Sequence, residues 1–538
     1  MVANLTELLD RAATTGPDRP ALVDTGSGRT TTWSELATEV ALVAQGLVEA
    51  GLVAGHRVGL VLGNRSELVT AYLAVLRAGM VAVPMNPKAT TGELVRMLAD
   101  SGCRLVLAES GTLTGVRAAV AGLADVVGEP SGPTEQPTEQ PAGRRGVVPE
   151  IVVLDEPAGS GERAWASLRA GSAVAVPPPR DPESLAVLLY TSGTSSRPRA
   201  AMLPHRALAA NVEQAAAVEP AMIRPDDVVL GVLPLFHVYG LNAVLGTVLH
   251  QAATLVLVPS FDPEGCLDVV AEHGVTVLPV APPVFGHWRK RDRVAERLRG
   301  VRQVLSGSAP LGPELVVEFQ ERTGVVVHQG YGLTEAAPVV TSTLVGGGAP
   351  PPGSVGAALP GIELRLVDET GAAPEGHDPG EIVVRGANLF TGYWPDGEDG
   401  PDADGWWATG DVGFLDEQGR LFLVDRLKEL VIVSGFNVYP SEVEDVVAEV
   451  DGVLEVAVIG VADEETGEAV VAYLRLASGR VPEEVVDDVR RHTATRLARF
   501  KQPREVHVVD QLPHTATGKV AKGRLRATER RRALGLLE

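Results

Sequence analysis

The sequence predicts an α/β protein with a large N-terminal domain and a small α+β domain at its C-terminal end. Helical apolar spacing alternates with short apolar runs over residues 30–125 and again over 151–340, which is typical of a parallel sheet. Residues 353–423 change to short strands separated by Gly, Pro and Asp turns, which predicts a small barrel or sandwich. A compact mixture of helices and strands fills the last roughly 110 residues, a common domain size.

In the first part of the chain, helices and strands alternate in the way that a parallel sheet requires. "WSELATEVALVAQGLVEAG" has helical spacing and ends at Gly51. The runs "RVGLVLGN" and "MVAVPMN" predict buried strands, and the helical pattern "ELVTAYLAVLRAG" lies between them. "ELVRMLADSG" followed by "RLVLAES" repeats the same helix–strand scheme.

The alternation is interrupted at residues 128–146, "GEPSGPTEQPTEQPAGRRG", which contain PTEQ twice and are rich in Pro, Gly and Glu. This composition offers too little apolar surface to compensate the entropy lost on folding. We therefore predict a disordered surface insertion and assign it no catalytic role.

The stretch "DRLKELVIVSGFNVYP" predicts the boundary between the two domains, which we place at residues 1–425 and 426–538. Ser441 and Glu444 have the spacing of a capping box at the start of a helix. A second helix is predicted to open near Pro482, with acidic residues in its first turn. "EVAVIGV" and "AVVAYLRL" are predicted strands of the same domain.

Composition excludes several function classes. The formal net charge of −22 disfavours nucleic-acid and anionic-membrane partners, because both need a basic face. Cys103 and Cys266 are the only cysteines, which excludes a disulfide framework and a cysteine-based metal site. The start, "MVANLTELLD", lacks a cationic signal segment, and no apolar run approaches the roughly 18 residues of a membrane span. We expect a reduced, cytoplasmic protein without an integral membrane segment.

The first candidate functional site is a polar loop between a predicted strand, "LAVLLY", and a predicted helix, "HRALAANVEQAAAV". Its hydroxyls, its flexible glycine and its bidentate arginine suit a polyphosphate. It is not a Walker loop, because GxxxxGK[ST] is absent, and taken alone it would also fit an ordinary polar turn. The candidate phosphate ligands are Thr191, Ser192, Gly193, Thr194, Ser195 and Arg199, with Ser196 as a further hydroxyl.

Further polar clusters follow in "HQGYGLTEAAP", "WWATGDVG", "DRLKE" and "PHTATGKVAKGRLR". Each has an ordinary structural explanation when taken alone, such as packing, a turn or a solvated charge. Their joint occurrence in this order favours a shared function. The residues concerned are Tyr331, Gly332, Thr334, Glu335, Asp411, Asp425, Arg426, Lys428 and Lys519.

Together these motifs resemble the adenylate-forming superfamily, which includes acyl-CoA synthetases, adenylation domains and beetle luciferases. "YTSGTSSRPRA" is similar to the superfamily loop YTSGTTGxPKG, "GYGLTE" to YGxTE, and "GWWATGD" to WxTGD. "DRLKELVIVSGFNVYPSEVE" resembles the hinge, and "TATGKVAKGRLR" the terminal lysine element. The resemblance covers nearly the whole chain and is closest to bacterial fatty-acyl-CoA ligases and 4-coumarate-CoA-ligase-like enzymes. It implies two α/β sheets and a small β-barrel in the N-terminal domain, and a mobile C-terminal domain.

The resemblance also implies a role for each motif in binding the nucleotide. The polar loop would hold the β- and γ-phosphates of ATP, Thr334 would contact the α-phosphate, and Glu335 would bind Mg²⁺. Asp411, with Arg426 beside it, would accept hydrogen bonds from the ribose. Tyr331 would stack on adenine, and the further nucleotide contacts would be Gly332, Ser308, Ala309 and Pro310.

The implied reaction uses ATP, Mg²⁺ and CoA. A carboxylate attacks the α-phosphorus of ATP, which gives an acyl-adenylate and pyrophosphate, and a thiol then displaces AMP. Positioning and charge stabilisation would supply most of the catalysis. Lys519 would neutralise charge in the first step and then withdraw as the small domain swings about the hinge residue Lys428.

The polar loop departs from the superfamily pattern at three positions. Arg199 stands where Lys is usual, which keeps the charge but changes its geometry. Ser196 and Ala200 stand where Gly is usual, and Gly often allows a close backbone approach. Because the loop hydroxyls remain, we expect an active enzyme; the alternative is an enzyme whose handling of pyrophosphate is weakened or altered.

For the acid, the resemblance places His237 of "LPLFHVYGLNAVL" at the mouth of the acyl pocket, although a core histidine is the alternative. No carboxylate between Leu233 and Leu245 could pair an α-ammonium, which disfavours amino-acid substrates. We favour a medium- or long-chain fatty acid; the alternatives are an aryl or hydroxycinnamate acid, or transfer to a separate acyl carrier protein. The predicted pocket residues are His237, Gly307, Gly330, Pro338 and Val339.

Two other classes of protein could share these motifs. A catalytically silent nucleotide-binding protein is disfavoured, because the acidic and basic motif residues are all retained. A luciferase-like monooxygenase would be distinguished by oxygen consumption with a candidate acid.

Overall fold

We analysed a computed structural model of the chain, in which no described helix is long and apolar enough to cross a membrane. The predicted insertion lies outside the described residues from residue 129 onward. The structure describes residues 2–128, 147–172, 176–191, 199–309, 311–347, 351–368, 370–374, 378–426, 429, 431–433, 436–463, 466–497, 499–515 and 518–533.

The described chain forms two compact units, which are considered separately. Unit 1 comprises Met1–Thr191, Arg199–Ile362 and Arg385–Gly405, and unit 2 comprises Glu363–Val384 and Trp406–Glu538. The division after residue 425, at the hinge motif, stays a prediction.

Two helices of unit 1, which begin at Trp33 and Thr91, start at capping boxes. Thr32 and Thr90 each accept a hydrogen bond from the N–H three residues later, and Glu35 and Glu93 return one, so both sites are capping boxes. The helices are α1 (Glu7–Thr15), α2 (Trp33–Glu49), α3 (Ser66–Arg77), α4 (Thr91–Ser101), α5 (Ser110–Gly128), α6 (His205–Ala216), α7 (Thr247–Gln251), α8 (Pro263–Glu272), α9 (Pro283–Arg289), α10 (Val294–Arg297) and α11 (Pro313–Thr323).

The strands of unit 1 are short and mostly buried, as their continuous apolar runs predict. They are β1 (Pro20–Asp24), β2 (Arg29–Thr32), β3 (Arg57–Val61), β4 (Val81–Pro84), β5 (Leu105–Ala108), β6 (Glu150–Val153), β7 (Arg163–Ala164), β8 (Leu185–Thr191), β9 (Arg199–Pro204), β10 (Val228–Gly231), β11 (Thr254–Leu257), β12 (Val277–Val280), β13 (Gln303–Ser306), β14 (Val326–Gly332), β15 (Val339–Ser342) and β16 (Ser354–Ala358).

These strands form two mainly parallel sheets in the described part of unit 1. The first has the order β7-β6-β5-β3-β4-β8-β9, with β8 and β9 antiparallel. The second has the order β2-β1-β11-β10-β12-β13-β14-β15-β16 and is parallel from β1 to β14. Helices cover both sheets, and their apolar faces complete cores around Val106 and Leu278. The predicted α/β class is confirmed.

Unit 2 contains the predicted short strands and the predicted α+β pattern. Strands β17 to β20 are neighbours in that order, whereas the second sheet has the order β22-β21-β24-β23 with β25 beside β24. The elements are β17 (Ile362–Val367), β18 (Gly380–Gly386), β19 (Trp406–Leu415), β20 (Leu421–Arg426), β21 (Val431–Val433), β22 (Phe436–Val438), α12 (Pro440–Ala448), β23 (Val453–Asp463), β24 (Gly467–Leu476), α13 (Pro482–Arg496), β25 (Glu505–Val508) and α14 (Lys522–Ala533).

The predicted capping box of α12 is wrong, although the helix itself is present. Pro440 opens the helix, so Ser441 is already inside its first turn and cannot serve as the N-cap. The Ser441 hydroxyl donates instead to the Val424 carbonyl over 2.6 Å, and Glu444 accepts a hydrogen bond from the backbone N–H of Val458.

The close packing of α2 requires glycine at position 46. A Cβ on Gly46 would lie 1.6 Å from the carbonyl oxygen of Leu168. Although alanine is the better helix former, we expect Gly46→Ala to lower the free energy of unfolding by about 2–3 kcal/mol. Gly115→Ala in α5 is the control, because its Cβ would meet only Leu94 at 3.8 Å. Urea unfolding of both variants measures the difference, and equal stabilities would contradict the packing.

Candidate functional site

The polar loop connects the two strands of a hairpin. Strands β8 and β9 pair antiparallel with Thr191 opposite Arg199, and the Thr191 hydroxyl donates to the Arg199 carbonyl over 3.3 Å. Strand β9 was not predicted, and it returns Arg199 to the end of β8 before α6 begins. The predicted ligands Ser192, Gly193, Thr194 and Ser195, together with Ser196, lie outside the described residues.

The guanidinium of Arg199 is fixed by two contacts from residues 393–399. Its Nη1 lies 2.7 Å from Asp399 Oδ2, and its Cζ lies 3.8 Å from the centroid of the Tyr393 ring. The Asp399 side chain is 68% exposed, so solvent screens the ion pair and limits its contribution to about 1 kcal/mol. Planar stacking on a ring is a property of guanidinium that an ammonium lacks, so Arg199 is not interchangeable with Lys here.

Glu335 lies in a short 3₁₀ turn, Thr334–Ala336, directly after β14. Glu335 is only 8% exposed, and the Tyr393 hydroxyl donates a hydrogen bond to its Oε1 over 2.5 Å. Its main-chain carbonyl accepts a hydrogen bond from the Phe390 N–H at 2.8 Å. Burial, followed by the nearby Glu335 charge, raises the pKa of Tyr393. Tyr393 therefore remains a hydrogen-bond donor at neutral pH.

The turn that carries Glu335 leaves little space around its backbone. Leu333 N–H donates to the Pro338 carbonyl over 3.0 Å. A Cβ on Gly332 would lie 2.2 Å from that same carbonyl oxygen, which explains the glycine at this predicted site position. Ala337 takes up the left-handed conformation, with φ of +63°. The turn therefore depends on hydrogen bonds from other segments of unit 1.

Three buried asparagines from separate parts of unit 1 hold this turn. Asn211 of α6 exchanges two hydrogen bonds with the Val339 backbone, at 2.7 and 3.0 Å. Asn242 and Asn388 donate to the carbonyls of the two residues after Glu335, at 2.6 and 2.7 Å. None of the three is more than 1% exposed. Amide side chains thus satisfy a buried turn that has few partners of its own.

The predicted adenine contacts lie at the ends of two neighbouring strands. Tyr331 of β14 is 7% exposed, and its backbone N–H donates to the Thr341 hydroxyl over 3.3 Å. Ser308, in the left-handed conformation, and Ala309 follow β13. Pro310 lies outside the described residues. Stacking of Tyr331 on adenine stays a prediction.

Two of the predicted acyl-pocket residues, His237 and Gly307, lie next to Tyr239. His237 Nδ1 accepts a hydrogen bond from the Tyr239 N–H over 3.3 Å, at the start of a π-helical segment, Tyr239–Gly246. A Cβ on Gly307 would lie 3.1 Å from the Tyr239 ring. A Cβ on Gly330 would lie 2.8 Å from the Thr341 carbonyl oxygen. Pro338 and Val339 belong to the turn described above.

In unit 2, Asp411 of β19 is 9% exposed and pairs in register with Arg426 of β20. The hinge residue Lys428 lies outside the described residues. Lys519 lies in a turn closed through Thr515, whose N–H donates to the Lys519 carbonyl over 2.7 Å and whose hydroxyl accepts from the Lys519 N–H over 3.2 Å. Lys522, at the start of α14, forms ion pairs with Glu429 and Glu444.

Sequence reasoning missed Tyr393, Asp399 and the three asparagines. The only local signal for Tyr393 is the aromatic pair in "TGYW", within a stretch otherwise rich in turn residues. The three asparagines lie within otherwise apolar stretches of the sequence. An amide buried there needs a hydrogen-bond partner from another part of the chain, and this is the signal that could have pointed to them.

The asparagine contacts predict a stability effect. Asn211→Ala would remove two hydrogen bonds from the partly buried backbone of Val339, and a buried polar group that loses its partner costs about 1–3 kcal/mol. We expect the free energy of unfolding to fall by at least about 2 kcal/mol. Denaturant unfolding measures this, with Asn86→Ala as the control variant, because the Asn86 side chain accepts from the Lys88 N–H at an exposed position. A stability equal to wild type would contradict the role of Asn211.

Comparison with known proteins agrees with the motifs. The AMP-binding enzyme family matches residues 9–394, and the AMP-binding enzyme C-terminal domain matches residues 442–519. "4-coumarate--CoA ligase 5" of Oryza sativa subsp. japonica is 34% identical, over 95% of this chain and 92% of that protein. The long-chain-fatty-acid–CoA ligase of Bacillus subtilis is 32% identical, over 97% and 94%.

A solved structure has the same fold. ATP-bound MatB from Rhodopseudomonas palustris superposes with a TM-score of 0.84 at 33% identity and covers 98% of this chain and 99% of that one. The match extends through both units. The chain thus belongs to the AMP-binding enzyme family, which confirms the predicted adenylate-forming superfamily of acid–thiol ligases.

Proposed function

We propose that this enzyme activates a carboxylic acid with ATP as an acyl-adenylate and then transfers the acyl group to CoA. The observation that carries the proposal is that Tyr393 contacts both a buried carboxylate, Glu335, through its hydroxyl and a guanidinium, Arg199, through its ring. A carboxylate for a divalent cation and a cation for phosphate are the two groups that a leaving pyrophosphate requires.

The chemistry of Glu335 fits Mg²⁺. A carboxylate oxygen is the hard ligand that Mg²⁺ prefers, and Tyr393 engages Oε1, so Oε2 is the oxygen that would bind the ion. Among the described residues no group of three His, Cys, Asp or Glu side chains could hold a metal. Mg²⁺ is usually bound by one or two carboxylates together with substrate phosphates and water, so Glu335 can serve as its protein ligand. The ion would neutralise charge on the pyrophosphate.

The other predicted site residues would bind the nucleotide and stabilise the charge that develops during the reaction. Arg199 and the hairpin hydroxyls would hold the terminal phosphates, and Thr334 would donate to the α-phosphate. Asp411 would accept hydrogen bonds from the ribose. A carboxylate oxygen of the acid would attack the α-phosphorus as pyrophosphate leaves, with Lys519 offsetting the developing charge. The thiol of CoA would then lose its proton, attack the acyl carbon and release AMP.

For the acid, we propose a medium- or long-chain fatty acid. The absence of a carboxylate between Leu233 and Leu245 supports an apolar substrate. A hydroxycinnamate or other aryl acid is the second candidate, supported by the 34% identity to the rice 4-coumarate–CoA ligase. Cytoplasmic location, and a separate acyl carrier protein as the alternative acceptor, stay predictions.

The test is AMP formation from Mg-ATP, with and without CoA, across fatty and aryl acids. We expect turnover that depends on CoA and on one acid class, with the thioester detected as product. Pyrophosphate exchange without CoA-dependent turnover would instead indicate a carrier-protein acceptor. Absence of both activities with every acid would contradict the proposal.

The role of Lys519 separates the two half-reactions. We expect Lys519→Ala to slow adenylation by about 10²–10³-fold, because one stabilising cation is lost, and to spare thioester formation from supplied acyl-AMP. The exposed Lys290 provides the control variant, Lys290→Ala. Stopped assays of each half-reaction measure the effect, and equal loss of both would refute the assignment.

A further inference from the structure

Tyr393 contacts both charged groups of the proposed pyrophosphate site. We propose that Tyr393 is a positioning residue: its hydroxyl orients the Glu335 carboxylate and its ring stacks with the Arg199 guanidinium. One side chain thus determines the positions of both charged groups. The inference rests on the proposed function, since it concerns how that site is held for ATP and Mg²⁺.

The hydroxyl contact orients a carboxylate that has little water around it. Tyr393 Oη lies 2.5 Å from Glu335 Oε1, which is the short distance of an O–H···O⁻ hydrogen bond. Glu335 is 8% exposed, so water cannot easily replace a lost donor. The hydroxyl therefore selects one rotamer of the carboxylate and directs Oε2 away from the tyrosine.

The ring contact restrains the guanidinium of Arg199, the first residue of β9. The Arg199 Cζ lies 3.8 Å from the Tyr393 centroid, well inside the roughly 6 Å limit of a cation–π contact. Asp399 holds the Nη1 end at 2.7 Å. Together they restrict the guanidinium before any phosphate arrives, which reduces the entropy lost on binding.

Tyr393 is itself held rigidly, which a positioning residue requires. The backbone of its segment pairs with β9, where Met202 N–H donates to the Gly392 carbonyl at 3.0 Å and Trp394 N–H to the Ala200 carbonyl at 2.8 Å. The Trp394 indole N–H donates to the Asp100 carbonyl over 3.0 Å. The Phe390 ring packs against the Tyr393 ring edge to face, with centroids 5.1 Å apart.

Gly392 explains how the segment reaches this position. Its φ is +115°, and a Cβ would lie 2.1 Å from the Gly397 carbonyl oxygen. The turn from residue 392 to 399 can therefore close tightly and present Tyr393 and Asp399 to the same guanidinium. The replacement of the usual loop Lys by Arg199 fits this arrangement, since a guanidinium stacks and still donates from its edge.

The two contacts can be separated by substitution. Tyr393→Phe keeps the ring under Arg199 and removes the hydroxyl on Glu335, whereas Tyr393→Leu removes both. Tyr473→Phe is the matched control, because the Tyr473 hydroxyl also donates to a carboxylate, that of Glu529, and both residues belong to unit 2. Thermal unfolding of the full-length variants checks that each is folded.

The readout is equilibrium dialysis of labelled ATP against each full-length protein, in EDTA and in saturating Mg²⁺. For Tyr393→Phe we expect unchanged binding in EDTA and a Mg²⁺-dependent gain in affinity about tenfold smaller than that of wild type. For Tyr393→Leu we expect binding in EDTA to weaken about five- to tenfold as well. Tyr473→Phe should match wild type in both conditions.

The proposal is overturned if Tyr393→Phe keeps the full Mg²⁺-dependent gain, or if Tyr393→Leu binds ATP in EDTA as tightly as wild type. If Tyr393→Leu fails to fold, the comparison of the two phenylalanine variants still decides the hydroxyl contact. Wild type that binds ATP but forms no AMP with any acid would refute the proposed function alone, since these dialysis ratios do not depend on turnover.

Discussion

A carboxylate that is withdrawn from water must receive hydrogen bonds and a defined direction, and this constraint on Glu335 organises the candidate site. Leaving a charged group buried without a partner is costly, so the surrounding chain supplies Tyr393 as a donor. The main chain of Glu335 is tied to Phe390, three residues before that tyrosine. One segment thus holds both the backbone and the side chain of the acidic residue.

The same constraint accounts for the three buried asparagines around the turn that carries Glu335. The turn after β14 has to present Thr334 and Glu335 at the strand end, and Gly332 and Ala337 accept unusual conformations or close contacts to allow it. Parallel sheets bring loops together at the carboxyl ends of their strands, where ligands commonly bind. Asn211 and its two companion asparagines supply the hydrogen bonds that the turn lacks. Rigid support of this kind is what positioning catalysis needs.

The fold class was predictable because periodicity is a local signal. Helix α2 and strand β8 follow directly from the spacing of apolar residues, and the polar motifs at strand ends follow from composition. Strand β9 was missed, because "RAAMLP" is short, ends in Pro and lacks alternation. The capping box of α12 was wrong because Pro440 competes for the helix start.

The contact between Tyr393 and Glu335 could not be predicted, since 58 residues separate them and no local pattern links them. The resemblance supplied roles for the named motif residues but said nothing of what holds them. The most direct test of the account is pyrophosphate exchange into ATP, with a fatty acid and without CoA, for wild type and Glu335→Gln. The account predicts exchange by wild type and a loss of about 10²–10³-fold in the variant; equal exchange by both proteins would contradict it.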